Sequence, residues 1–401
     1  MRAFTDPTTF DVGLAYAGGV QAWRNGHPEI VSSWISTPFL ALVMALISRV
    51  LSVGSVSRLI TALNCLTVFT AAAFVWGGLR FRASVGWCWA TLLLALTFAP
   101  LSSSLWWKQF NIVVFGLALA GFCLVRYRPK ASVFPAVLMA VSIVVKPIIF
   151  LLPLALVLRS ETRRIGALTV AFTAALLGIG QAFLALRSGR IADLLPSALL
   201  RAVSVRTAPE NFWVCHNENF SPQSLLCRLI GNHYWPAQQV VVLVGVLFFA
   251  ALTASVLRQR RADDWGVFAF ACLLSPMFSP IAWSHYQLLL MPMFLVLAYE
   301  FRAGASPGLW FGLSVAYVLA DLVWQPYGTL PGAFGRMLGG SAETLQFKFA
   351  VMSVSMFAQY AVFVVAVSWY GVGHDPRREG HSPIVSSDGL GGRSLLAEEV
   401  H

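Results

Sequence analysis

The chain has 401 residues, a length that ordinarily makes two or three soluble domains of ~150 residues each. Its composition excludes that: 58% of residues are hydrophobic and only 11% charged, with mean hydropathy +0.72, against ~25% charged in an ordinary globular chain. The net charge of +11 is no nucleic-acid signature either. The cations stand singly or in short runs between apolar segments, as positive-inside loops do, and form no clustered binding face. No nucleic-acid partner is expected, and the lipid bilayer is.

In chain order, residues 1–34 are mostly polar and read as a first external loop. Apolar segments follow at 36–52, 59–79, 84–100, 111–126, 132–158, 165–186, 238–257, 265–278, 285–300, 307–324 and 347–370. The expected fold class is all-α, a polytopic transmembrane helical bundle of about ten membrane segments with a large external loop at 187–237. Residues 1–370 form a single integral-membrane domain in this reading. Residues 371–401, rich in Gly, Ser and charge, read as a disordered cytoplasmic tail.

Arginine sets the orientation. Arg126 to Lys130, Arg159 to Arg164, Arg258 to Arg261, Arg302 and Arg377-Arg378 all become cytoplasmic under one assignment. That assignment makes 132–158 a hairpin that enters and returns, broken at Lys146-Pro147, because proline removes a helix donor and clashes with the preceding turn. Parity then requires one early segment not to cross, and 36–52 is the one expected to lie along the interface. Only four of the 28 basic residues are lysines, Lys108, Lys130, Lys146 and Lys348, an arginine bias expected of a GC-rich bacterial genome. The location that follows is a bacterial plasma membrane, with multiple passes.

The six cysteines have no metal-ligand spacing, and neither a metal nor another cofactor is expected. Cys215 and Cys227 share the long loop and can pair if it faces an oxidising compartment. The other four read as buried apolar side chains.

The residues suited to chemistry all fall on the external side: Asp11, Lys108 to Asn111, Lys146, Asn217 to Ser221 and Trp283 to Tyr286. A transporter would place such groups at the bilayer midplane. Clustering at one face points instead to an enzyme that acts on a lipid-linked substrate. Asp11 is either a helix cap or a general base for a sugar hydroxyl. Lys146, inside an apolar run, either snorkels to the interface or holds a phosphate there. His285, after the proline-broken Ser275-Pro276 to Ser279-Pro280 stretch, either caps the next helix or donates to a phosphate oxygen. Gln109 and Asn111 offer amides to sugar hydroxyls, beside Trp106 and Trp107. Trp283 and Tyr286 suit a membrane interface.

In order, these residues are an acid with Tyr16 in an external loop, Thr37-Pro38, Gln109-x-Asn111, Lys146-Pro147, Asn219 and Ser221 in the largest loop, and Ser279-Pro-Ile-Ala-Trp-Ser-His-Tyr286. The pattern resembles the glycosyltransferase 87 family, the GT-C-type mannosyltransferases that use polyprenyl phosphomannose, over roughly residues 10–300. The resemblance implies a GT-C-like fold, a polyprenyl-phosphate sugar donor and a glycan or glycolipid acceptor at the outer face. It also implies inversion at the sugar, with Asp11 as general base and Lys146 and His285 on the donor phosphate. Lys108, Gln109, Asn111, Asn219, Trp283 and Tyr286 then contact substrate. Two departures stand out. The family usually carries a transmembrane helix before its acid, which residues 1–34 do not contain, so a missing first helix is expected. Lys108 stands where the family commonly has glycine. A transferase for arabinose or glucose, or a lipid-linked-sugar flippase or transporter, remains the alternative.

Overall fold

The computed structural model describes residues 10–28, 37–80, 97–106, 108–127, 133–194, 235–258, 264–278, 284–302, 304–322 and 345–371, with Trp89, Leu93, Ser221 and Ser224 as single residues. These residues form an all-helical bundle: α1 (Phe10–Asn25), α2 (Pro38–Ile47), α3 (Val53–Arg80), α4 (Ala99–Trp106), α5 (Asn111–Tyr127), α6 (Val133–Val145), α7 (Leu152–Val157), α8 (Arg163–Ser188), α9 (Trp235–Arg258), α10 (Asp264–Phe278), α11 (Met291–Phe301), α12 (Pro307–Leu322) and α13 (Leu345–Gly371). Short 3-10 turns lie at Pro147–Ile149, Ile191–Leu194 and Ser284–Leu290. Cys215, Cys227 and the tail from 372 onward lie outside the described residues. Cys123 and Cys272 are buried, as the apolar reading has it.

Two helices, over Val53–Thr70 and Arg163–Ser188, are long and apolar enough by themselves to cross a bilayer, and several shorter apolar helices accompany them. The outward faces are apolar too. On α9, Val240, Leu243, Val244, Leu247 and Phe248 are all more than half exposed, at the i, i+3, i+4, i+7, i+8 spacing of a single helix face. A continuous exposed stripe of that kind is untenable in water and natural against lipid.

The basic loops gather at one end. Asp264, opening α10, accepts from Arg159 after α7 and pairs with Arg126 near the end of α5 at 3.3 Å. Phe270 packs on Tyr370 with ring centroids 5.8 Å apart. Glu300, near the end of α11, accepts from Trp369 Nε1 at 2.5 Å and Tyr370 Oη at 2.8 Å. Loops that the arginine pattern groups together are therefore neighbours in space.

At the opposite end, α6 and α7 are the two arms of the expected hairpin. Pro147 forces the residue before it out of helical geometry, and Lys146 is extended at φ −152°, ψ 114°. Both arms return to the basic end, since Gly121 on α5 touches Pro135 and Arg159 follows α7.

Helix α2 occupies the middle of the segment at 36–52. Its ten residues rise ~15 Å, about half of the ~30 Å hydrocarbon layer. Thr37 caps it, accepting from Leu40 N at 3.2 Å and donating to Val144 O, with Pro38 in the first turn. Both ends of α2 thus stay beside the Lys146 end of the bundle. Its close fit depends on Gly180 of α8, where an added Cβ would lie 2.4 Å from Phe39 N and 2.5 Å from Pro38 C. Gly180→Ala is expected to cost ~1–3 kcal/mol through overpacking against backbone. Gly178→Ala, one half-turn away with nothing within 4 Å, should gain up to ~1 kcal/mol in helix propensity. Thermal unfolding of the two variants in detergent measures the contrast.

One sequence expectation needs correction. Pro276 does not break the apolar segment at 265–278; it lies inside α10, which continues to Phe278. Near a helix end proline removes a single backbone bond, and the Ser275 hydroxyl bonds back to Ala271 O at 2.8 Å.

Candidate functional site

The site forms where the hairpin tip meets the loop between α4 and α5 and the 3-10 turn Ser284–Leu290. The Lys146 Nζ donates to Gln109 Oε1 at 2.8 Å and stands 5.0 Å from the centroid of the Tyr286 ring. The ammonium is half-buried and held by these two neighbours. Cation–π contact with a desolvated ring contributes up to ~2 kcal/mol, and Tyr286 is only 8% exposed.

The α4–α5 connection holds Gln109 in place. Gln109 N bonds Ser104 O at 3.0 Å and Lys108 N bonds Leu105 O at 3.2 Å. Those two bonds are the 6→1 and 5→2 pairs of a Schellman motif, which requires a left-handed residue between them. Lys108 is that residue, with φ +50°, the one positive φ outside glycine among the described residues. A glycine is the usual occupant. Here a lysine accepts the backbone cost and has its side chain 1% exposed, so it does not lie among lipid headgroups. Lys108→Gly should relieve about 1 kcal/mol of left-handed strain while removing a buried cation. The expected result is an intact or slightly raised melting temperature, read by thermal unfolding in detergent.

Asn64 of α3 donates from Nδ2 to Gln109 O at 2.8 Å and is fully buried. Asn111, also fully buried, opens α5. The N-terminal end of that helix dipole lies two residues from Gln109, the residue bonded to Lys146, and adds positive potential there. Gln287 follows Tyr286 on the same 3-10 turn, with 0% exposure and neither amide atom hydrogen-bonded. A buried amide with both ends unsatisfied is costly unless something else fills the role. Its carbonyl and NH₂ are the groups that sugar hydroxyls would pair with.

Sequence reasoning placed Lys146, Gln109, Lys108, Asn111 and Tyr286 on one side; the structure joins Lys146 to Gln109 and Tyr286, and Lys108 and Asn111 flank Gln109 in the chain. It passed over Asn64 and Gln287. Each is a lone amide in or beside an apolar run, a signal weaker than an intramembrane charge. Asp11 follows Phe10, the first described residue of α1, and its side chain lies outside the described residues. So do the His285 side chain, Trp283 and Asn219, although His285 is carried on the same turn as Tyr286. In the largest loop, Ser221 and Ser224 are fully buried, and Ser224 N bonds Ser221 Oγ at 3.1 Å.

A lysine ammonium among buried amides at one end of an apolar-faced helical bundle suits an anionic, hydroxyl-rich, lipid-borne ligand. The family model for glycosyltransferase family 87 matches residues 34–280, which span α2 to α10 and contain the Lys146 hairpin. No curated protein and no solved structure matches the chain.

Proposed function

Because the chain belongs to glycosyltransferase family 87, we propose that it is a membrane mannosyltransferase using a polyprenyl phosphomannose donor and a glycan or glycolipid acceptor. The reaction takes place at the outer membrane face, opposite the arginine-rich end. The observation that carries the reading is the Lys146 ammonium at the hairpin tip, fixed by Gln109 and Tyr286.

The chemistry needs two separated groups. Asp11 takes the proton of the acceptor hydroxyl as its oxygen attacks the anomeric carbon. The bond from that carbon to the phosphate oxygen breaks, and polyprenyl phosphate leaves with the electron pair, inverting a β-linked donor to an α-linked product. The oxocarbenium-like transition state gathers negative charge on the departing phosphate. Lys146, with His285, stabilises that charge. Gln109, Asn111, Gln287 and Lys108 orient sugar hydroxyls and the phosphate, and Asn219, Trp283 and Tyr286 complete the substrate contacts.

The test uses membranes containing the protein, supplied with polyprenyl phosphomannose and a phosphoinositol glycolipid. Mannosylated product supports the reading. Transfer only from polyprenyl phosphoarabinose or phosphoglucose would replace the sugar. No transfer from any of these donors, together with donor movement across liposomes, would replace the enzyme with a flippase.

A further inference from the structure

The end of the bundle that holds Lys146 also carries cations that the positive-inside pattern does not account for. The Trp23 ring near the end of α1 is contacted by two guanidinium groups, Arg49 at 5.1 Å and Arg187 at 4.8 Å from its centroid. Arg187 Nε also donates to Trp23 O at 2.6 Å. Arg24 is the next residue along α1, and Arg190 follows the left-handed Gly189 that ends α8. All four arginines are exposed. The side chains of Arg24 and Arg190 make no hydrogen bond or ion pair among the described residues. The nearby carboxylate, Asp193, accepts from Ser188 Oγ at 2.7 Å.

Around these cations the surface is apolar. Val50 is 81% exposed, Leu186 82% and Ile191 83%. Exposed guanidinium groups beside exposed aliphatic side chains match one ligand class: a lipid with an anionic headgroup, its acyl chains against the aliphatics. Arginine forks suit phosphate oxygens, and stacking on Trp23 fixes two of them before a ligand arrives.

We propose that this α1–α2–α8 face is the docking site for the headgroup phosphate of an anionic glycolipid, and that this lipid is the acceptor. The second part rests on the transferase reading above. Helix α2 connects the two sites: its first residue follows Thr37, bonded to Val144 O beside the Lys146 tip, and Arg49 lies just past its end. Ten residues at 1.5 Å put the phosphate about 15 Å from the reacting centre. The face therefore selects an acceptor whose reacting hydroxyl is carried on an extended glycan.

Full-length protein purified in detergent and titrated with phosphatidylinositol, against phosphatidylcholine as the uncharged control, tests the docking by native mass spectrometry. Wild type should retain phosphatidylinositol preferentially. Arg24→Ala/Arg190→Ala removes no contact within the fold and should weaken that preference about ten- to thirtyfold at an unchanged melting temperature. Arg49→Ala/Arg187→Ala should weaken the preference to a similar extent, with a lower melting temperature from the lost Trp23 contacts, and an unaltered preference in both variants would overturn the docking site. In the transfer assay, the Arg24→Ala/Arg190→Ala variant should raise the acceptor KM and leave the donor KM alone. A rise in donor KM instead would overturn the acceptor assignment. Lost lipid preference in a protein whose wild type transfers no sugar would support the face and sink the transferase reading, so the two failures are separable.

Discussion

Sugar transfer by Asp11→Asn is expected to fall by about 10²–10⁴-fold, the range attributed to a positioned general base, while the protein keeps its melting temperature. The pairing of these two results is what discriminates. Asp11 lies in the first turn of α1, where a polar side chain serves the free backbone amides and the helix dipole. Asparagine serves such amides about as well as aspartate. It has no comparable basicity, and it cannot take a proton from a sugar hydroxyl. A structural Asp11 therefore tolerates the change, and a catalytic one does not. Transfer at the wild-type rate would remove Asp11 from the mechanism and leave the base unassigned. The measurement is initial-rate transfer from polyprenyl phosphomannose beside a thermal unfolding curve.

Lys146→Met is expected to lower kcat by about 10²–10³-fold, comparable to deleting one preorganised charge-stabilising donor. Methionine preserves the length and apolar volume of the stem, so packing between the hairpin tip and Tyr286 survives. Stability should hold or rise, because a cation at the membrane boundary is expensive to bury. The cost falls on the transition state: the donor phosphodiester carries one negative charge, and the departing phosphate gains another. A loss in kcat with little change in acceptor KM marks a role on the leaving group. A change confined to melting temperature would make Lys146 a structural residue held by Gln109 and Tyr286. Lys146→Arg is not expected to rescue fully, because a planar fork cannot reproduce a point charge seated over the Tyr286 ring.

Much of the fold was legible in the chain because membrane helices are written locally. A run of apolar residues bounded by arginines reports a spanning element and its direction without reference to any other part of the sequence. The expected segments at 111–126, 165–186 and 347–370 correspond to α5, α8 and α13 within two residues at each end. The break at Lys146-Pro147 was legible for the same reason, since proline constrains its own neighbour. Pro276 was misread because the same local rule depends on where a proline falls within its helix, and two residues from the end of α10 it costs little. The proximity of Lys146 to Gln109 was foreshadowed only by the family pattern and by the cost of placing a charge in an apolar run.

What the sequence by itself determined is a helical membrane protein, the grouping of its basic loops and an intramembrane lysine that requires a reason. The tertiary structure alone decided what that lysine meets. Gln109 and Tyr286 are separated from it by 37 and 140 positions, and no periodicity links contacts of that range. The same holds for Asn64 behind Gln109, for the orphaned amide of Gln287, and for two arginines, one just past α2 and one on α8, converging on Trp23. Lys108 joins both levels. Its departure from glycine was visible in one dimension, but only the left-handed φ of a Schellman motif and a 1% exposed side chain show what that departure costs. Local hydrophobicity and backbone constraint act over a few residues, whereas a site is made by packing, which joins residues that the chain keeps far apart.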